Sequence, residues 1–345
     1  MAAILILALS WPAVSGPLAL ASAIALIVAV FAAVHHAEAI AHAVGEPFGT
    51  LVLAVAVTTI EVALIVSIML GGGTDKSALA RDTVFAAVML VCNGIIGLCL
   101  LSGGVRHHEQ DFRVQGASGA LAVLAALTTL TLVLPNYTVT TSGPVFTSSQ
   151  LIFAGCVSLV LYGAFVFVQT IRHRGDFLAD AGAQDAATAH GAAGWRGLFA
   201  STGLLILSLV AVVGLAKALT PIIENAVDDL GAPKSFVGIV IAALVLLPES
   251  FAALNAARAN RLQTSLNLAL GSALASIGLT IPAVALVAVV IDMPLTLGLG
   301  SMQQVFLALT LIVTVLTLGT GRTNVLQGTV HLVILATFLF LAVVP

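Results

Sequence analysis

Long apolar runs separated by short polar interruptions cover the chain from end to end. With Gly, Pro and charged residues taken as boundaries, the pattern divides into eleven segments. They run approximately 1–14, 18–44, 49–70, 82–102, 116–134, 150–171, 197–219, 236–257, 265–290, 302–319 and 324–344. Most approach or exceed the roughly 20 residues that an α-helix needs to cross a bilayer core. The pattern predicts an all-α polytopic membrane protein of about eleven transmembrane helices. The seventh segment has a blurred end, because it runs into "KALTPIIENAVDDLGAP". The first, "MAAILILALSWPAVSG", is short and lacks a positively charged start, so it reads as an extra N-terminal helix rather than a signal peptide.

The one long polar stretch, residues 172–196, is "RHRGDFLADAGAQDAATAHGAAGWR". Rich in Ala, Gly and Asp, it reads as a linker between two transmembrane halves, residues 15–171 and 197–345. Composition agrees with the segment pattern: the chain is 60% hydrophobic and 8% charged, with a mean hydropathy of +1.17. The net charge of -3 says little about partners, because the charges sit in loops, and no basic cluster suggests nucleic acid. Cys92, Cys99 and Cys156 all fall inside apolar segments without metal-ligand spacing, and read as small packing residues.

The positive charges orient the segments. Arg106, Arg113, Arg172, Arg174, Arg196, Arg258, Arg261 and Arg322 fall on one side, and Lys76, Arg81, Lys217 and Lys234 on the other. Eight against four places the first side, with the N-terminus and the linker, in the cytoplasm. Eleven spans then leave the C-terminus outside, periplasmic if the membrane is a bacterial inner membrane.

The two halves share a pattern. In "EAIAHAVGEPFGTLVLAVAVTTIEVALI" Glu38 is followed seven residues later by Gly45, then Pro47; in "ENAVDDLGAPKSFVGIVIAALVLLPESFAAL" Glu224 is followed seven residues later by Gly231, then Pro233. Each copy enters an apolar helix with a carboxylate near its middle, Glu61 in one and Glu249 in the other, with two residues of slippage between. The third segment runs outward and the eighth inward, so the copies are inverted. This predicts two inverted five-helix repeats, with a site at their midplane interface, behind the extra N-terminal helix.

A carboxylate near the bilayer centre costs about 2.5–3.5 kcal/mol on insertion scales and marks a functional site by default. Pro248, directly before Glu249, has no N–H, so the carbonyl near Leu244 loses its helical partner. An oxygen freed beside a carboxylate suits a hard cation, whose water shell oxygens can replace. Thr58 and Thr59 stand about one turn before Glu61, either as ligands or back-bonded to their own helix. In "NRLQTSLNLALGSALASIGLTIP" Ser272, Ser276 and Thr280 share a helix face that either lines the site or packs against a neighbour. Asn267 lies on another flank as a second polar ligand or a cap, and Asn93 in "VCNGIIG" is its candidate counterpart. The run "HHAEAIAH" is not H-E-x-x-H, which argues against zinc and leaves His35, His36 and His42 structural or proton-relay roles. Glu38 within it reads as functional.

These motifs resemble the Ca²⁺/cation antiporter superfamily, in particular the ChaA-like bacterial cation/proton antiporters. The resemblance rests on "HHAEAIAHAVGEPFGTLVLAVAVTTIEVALI", on "LPESFAAL" followed by "NLALGSALASIGLTIP", and on the closing "TGRTNVLQGTVHL". It implies that carboxylates on inverted repeats exchange a cation for protons. That role falls here on Glu61 and Glu249, helped by Ser272, Ser276 and Asn267. It also implies Ca²⁺, Na⁺ or K⁺ as the exported ion, an inner-membrane location and no cofactor. The linker departs from its relatives in having only Asp176, Asp180 and Asp185, with His190, in place of a strongly acidic loop. A passive channel and an intramembrane enzyme are the competing classes. A channel has no need of an inverted pair of titratable sites, and no nucleophile–base pair or metal motif supports an enzyme.

Overall fold

The computed structural model describes residues 17–44, 48–69, 77–177, 195–229, 231, 233 and 235–344. The first predicted segment, Gly45, Pro47, Lys76, Lys234 and most of the linker lie outside the described residues. Thirteen helices follow in chain order among those described. They are α1 Pro17–Val44, α2 Phe48–Met69, α3 Leu79–Met89, α4 Ile96–His107, α5 Val114–Thr128, α6 Ser148–Phe167, the one-turn α7 Arg174–Phe177, α8 Trp195–Asp229, α9 Ser235–Val245, α10 Leu247–Arg258, α11 Leu262–Val290, α12 Ser301–Leu318 and α13 Val325–Val343. A π-helical turn, Leu90–Ile95, joins α3 to α4 into one crossing.

Ten of the eleven predicted segments coincide with these helices. Among the described residues eight crossings are long and apolar enough to span a membrane unbroken. The pair α9–α10, bent by 55°, makes a ninth, and Ala54–Met69 within α2 is a shorter apolar helix. Large apolar side chains such as Phe153, Phe199, Leu316 and Phe340 point out of the bundle, as a hydrocarbon solvent permits. One boundary differs from the sequence reading: α8 does not stop near residue 219 but continues through Pro221 to Asp229. A proline inside a helix removes one hydrogen bond and crowds the preceding turn, yet the helix continues past Pro221, and among the described residues α1 packs along α8 in the most extensive helix pair. Glu38 and Glu224 consequently both sit in the last two turns of their helices.

The halves pack reciprocally. The last helix of the first half, α6, lies on α11, and the last helix of the second half, α13, lies on α4. Both contacts use glycines as flat surfaces. A Cβ on Gly278 would meet the Tyr162 Cβ at 2.8 Å, and one on Gly328 would meet the Leu101 backbone nitrogen at 2.5 Å. In lipid, where burial of apolar surface drives little, such close approach is a main source of helix affinity.

Loops gather at two opposite ends. At one end the two-residue strands β1 Gln110–Asp111 and β2 Arg322–Thr323 pair antiparallel. There the His107 ring also bonds the Arg258 carbonyl at 3.0 Å, and the Arg113 guanidinium donates to the Gly175 carbonyl at 2.8 Å. At the other end the Thr296 N–H donates to the Ser77 carbonyl at 3.1 Å, and Arg81 donates to the Gly298 carbonyl at 3.0 Å. This is the alternation that the predicted segment order requires.

Candidate functional site

Glu61 sits mid-way along α2 and is 2% exposed. Its Oε2 accepts a 2.7 Å hydrogen bond from the Ser276 hydroxyl of α11, which comes from the other half of the chain. Its Oε1 is buried with no protein partner. The Thr280 hydroxyl, one turn beyond Ser276, lies close to Glu61 but makes no well-aligned hydrogen bond. Thr58, one turn before Glu61, is buried beside it in the sequence of the same helix. Thr59 points outward and donates to the Val55 carbonyl at 2.7 Å, which is the back-bonded alternative.

Glu249 stands in the first turn of α10, just past the break. Leu246 forms the corner between α9 and α10 with φ -82° and ψ -3°. Its carbonyl takes both the Ser250 N–H at 2.9 Å and the Ser250 hydroxyl at 2.6 Å. Pro248 follows as a first-turn residue of the new helix, where its missing N–H is harmless to α10 and leaves the Leu244 carbonyl without its helical donor. The break therefore turns a mid-membrane glutamate into a helix N-terminal one, where the dipole and free N–H groups favour negative charge. Glu249 Oε2 is buried without a partner. Glu38 of α1 and Glu61 of α2 are both within electrostatic reach of it.

Four helices, α1 and α2 from the first half and α10 and α11 from the second, thus bring Glu38, Glu61, Glu249 and Ser276 into one neighbourhood. Ser272 is half-buried one turn from Ser276 on the same face. The structure places two other residues elsewhere. The Asn267 amide donates to the Phe177 carbonyl, and its oxygen takes a 3.0 Å bond from Gln263, so it ties α11 to α7 near the loop end. Asn93, fully buried in the π turn, donates to the Thr310 hydroxyl at 2.9 Å and pairs through its oxygen with the His331 ring at 3.1 Å. The other His331 nitrogen meets the Thr317 hydroxyl at 3.1 Å. This Asn93–His331 network bridges α12, α13 and the π turn. An ionisable side chain alone in the apolar run of α13 is the signal that could have marked His331. Among the described residues no three His, Cys, Asp or Glu side chains converge on a point that could hold a metal ion. His35 and His36 stack edge to face, with ring centroids 5.5 Å apart.

Two buried carboxylate oxygens without partners define what the site can do. A bare charge in a low-dielectric interior is costly, and either a proton or a cation removes that cost. The Ser276 and Thr280 hydroxyls alongside are neutral oxygens of the kind alkali and alkaline-earth ions take. The arrangement can therefore hold a cation or protons in alternation.

The sequence profile of the sodium/calcium exchanger protein family matches residues 15–171 and 200–344, two blocks that flank the linker. A Sinorhizobium fredii protein, y4hA, named only provisionally as an ionic transporter, is 52% identical over 328 residues, covering 95% of this chain and 89% of that one. The sodium-potassium/proton antiporter ChaA of Escherichia coli is 33% identical over 318 residues, covering 92% and 86%. Among solved structures, native YfkE superposes with a TM-score of 0.74 at 16% identity, covering 99% of this chain and 96% of that one. The H⁺/Ca²⁺ exchanger CAX superposes with a TM-score of 0.72 at 13% identity, covering 98% and 84%. At these identities the two structures speak for the fold.

The Ser276–Glu61 bond makes a direct test of the site's geometry. Ser276→Ala strands a second oxygen of Glu61 and should cost about 1–3 kcal/mol. In a Glu61→Gln background, where the buried group carries no charge, the same change should cost at least about 1 kcal/mol less. Thermal unfolding of the four detergent-purified proteins measures that difference; equal costs in both backgrounds would mean that the carboxylate charge adds nothing to the bond.

Proposed function

The chain belongs to the sodium/calcium exchanger protein family, and we propose that it is a secondary active cation/proton antiporter in which Glu61 and Glu249 bind the exported cation or the imported protons in turn. The observation that carries this reading is the meeting of two carboxylates from the two halves, each with a buried oxygen that no protein group satisfies. Protonated or cation-loaded, the pair is close to neutral and the carrier can change the face it presents. Empty, it holds two charges in hydrocarbon surroundings, and that cost couples the two fluxes. Ser276, Ser272, Thr58 and the Leu244 carbonyl act as neutral oxygen ligands. Glu38 adds negative charge at the approach to Glu249. The residues 15–171 and 197–345 act as inverted repeats, a reading that the reciprocal packing of α6 on α11 and α13 on α4 supports.

The exported ion is Na⁺, K⁺ or Ca²⁺. In support, the named activity of the Escherichia coli relative is sodium-potassium/proton antiport, and a more distant relative, 23% identical, is the Ca²⁺/H⁺ antiporter of Aphanothece halophytica. We place the protein in the bacterial inner membrane, with the Arg-rich end and the N-terminus cytoplasmic and the C-terminus periplasmic.

The exchange reading is tested in everted vesicles with a pH-sensitive dye and each chloride salt in turn. Glu61→Gln and Glu249→Gln keep the side-chain shape but cannot release a proton, so each should abolish exchange while the protein still inserts. Near-normal antiport in either variant removes that glutamate from the mechanism.

Pro248→Ala restores an N–H and re-pairs the Leu244 carbonyl, which removes one oxygen from the cation but none from the proton. The apparent KM for the cation should rise with little change in the pH optimum. The rise should be larger for Ca²⁺, which takes six to eight oxygens, than for Na⁺. An unchanged KM for every transported cation would exclude the carbonyl as a ligand.

Orientation is checked by reporter fusions. A reporter placed within residues 178–194 should be cytoplasmic and one at the C-terminus periplasmic. Finding both on the same side would require an even number of crossings between them and would overturn the assigned orientation.

A further inference from the structure

Outside the carboxylate site, the most constrained polar side chain at the Arg-rich end is Gln110 in β1. It is 3% exposed, and its Nε2 donates to the Ala257 carbonyl and to the Asn260 Oδ1, both at 2.9 Å. Its own Oε1 is buried without a partner, pressed so close to Gly103 that a Cβ there would overlap it at 1.7 Å. Only glycine at 103 lets this amide reach its acceptors. Ala257 is in the last turn of α10, and Asn260 follows in a left-handed conformation with φ 56°. Two further bonds converge on the same helix end: the Arg258 Nε donates to the Ser102 hydroxyl at 2.9 Å, and the His107 ring meets the Arg258 carbonyl at 3.0 Å. Every one of these partners of α10 belongs to the other half of the chain.

The helix so held is the one that carries Glu249. Eight residues separate Glu249 from Ala257, about 12 Å of straight helix at 1.5 Å per residue. At its other end the helix meets the 55° bend at Leu246 and Pro248. A short rigid rod with a bend at one end and a four-bond attachment at the other places its carboxylate by lever geometry. At the opposite end of the molecule the start of α3 is likewise held across the halves, by the loop after α11. The Ser77 carbonyl takes the Thr296 N–H at 3.1 Å, the Ser77 and Thr296 hydroxyls meet at 3.2 Å, and Arg81 donates to the Gly298 carbonyl at 3.0 Å.

We infer that Gln110 is a positioning residue for Glu249: it is a pin that stays closed through the transport cycle and fixes the far end of α10, so that movement of the carboxylate is confined to the bend at Leu246–Pro248. A buried amide with one oxygen unsatisfied is costly to keep, and an apolar side chain would fill the space without that cost. The geometry of the pin accounts for its presence. This inference rests on the antiport reading, which gives Glu249 its role.

The test uses the full-length transporter in everted vesicles, with Na⁺, K⁺ and Ca²⁺ chlorides as probes. Gln110→Ala should raise the half-saturating concentration of the transported cation about tenfold, the equivalent of one or two lost hydrogen bonds, with the maximal rate per folded transporter little changed. A residue that merely supports folding would lower the amount of active protein and leave half-saturation where it was. If Gln110→Ala fails to accumulate, Asn260→Gly removes the acceptor side chain while keeping the left-handed backbone, and the same rise is expected. In a Cys156→Ser background, Gln110→Cys with Asn260→Cys should show the raised half-saturation, and bridging the pair with a short bis-methanethiosulfonate should restore it. Inactivation by the bridge would show a contact that must open in the cycle and would overturn the pin. Glu249→Gln measured alongside separates the two claims. If it exchanges normally, the antiport role of Glu249 falls. If it is inactive while Gln110→Ala and Asn260→Gly match the parent, the pin alone falls.

Discussion

Burying a carboxylate in a membrane interior is the constraint around which the molecule is arranged. Glu61 cannot be solvated where it stands, and a lone hydroxyl, that of Ser276, satisfies one of its oxygens. Glu249 meets the same problem by a different route, because the break at Pro248 gives it the N-terminal turn of a new helix. Each solution is partial. The remaining oxygens have no protein partner, and in the antiport reading proposed above that incomplete satisfaction is the binding energy.

Such a site has to be exact in position, yet the hydrocarbon around it gives helices little reason to associate. Close packing replaces the missing driving force. Gly278 against Tyr162 and Gly328 against Leu101 bring backbones together where any side chain would hold them apart. The polar contacts that remain are concentrated at the two ends, where Gln110 and Arg81 reach across from one half to the other. The middle of the bundle is thereby left to apolar packing, the carboxylates and the Asn93–His331 network.

That network also shows how the halves differ. Ser276 on α11 turns to Glu61, whereas Asn93 in the π turn between α3 and α4 turns away from the site toward Thr310 and His331. A π turn re-aims side chains by inserting a residue into the helical repeat. The π turn at Leu90–Ile95 thereby gives Asn93 a face of its own, toward Thr310 and His331.

Much of this was legible in the linear chain. The segment pattern located ten helical runs, because only long apolar runs can enter a bilayer. The cost of charge in lipid singled out Glu61 and Glu249, and the missing N–H of Pro248 marked the bend. These are properties of a residue and its depth along one helix, and local sequence carries them. Which helix faces which is not such a property. The Ser276–Glu61 bond joins residues 215 positions apart. Asn267, on the same helix as Ser276, is spent instead on the Phe177 carbonyl. Gln110 carries no signal at all in its own loop, and gains its place only because Gly103, Ala257 and Asn260 meet it in space. Helical periodicity determines the direction of a side chain relative to its own axis, while the partner it finds depends on how the axes are packed, and that packing exists only in the assembled bundle.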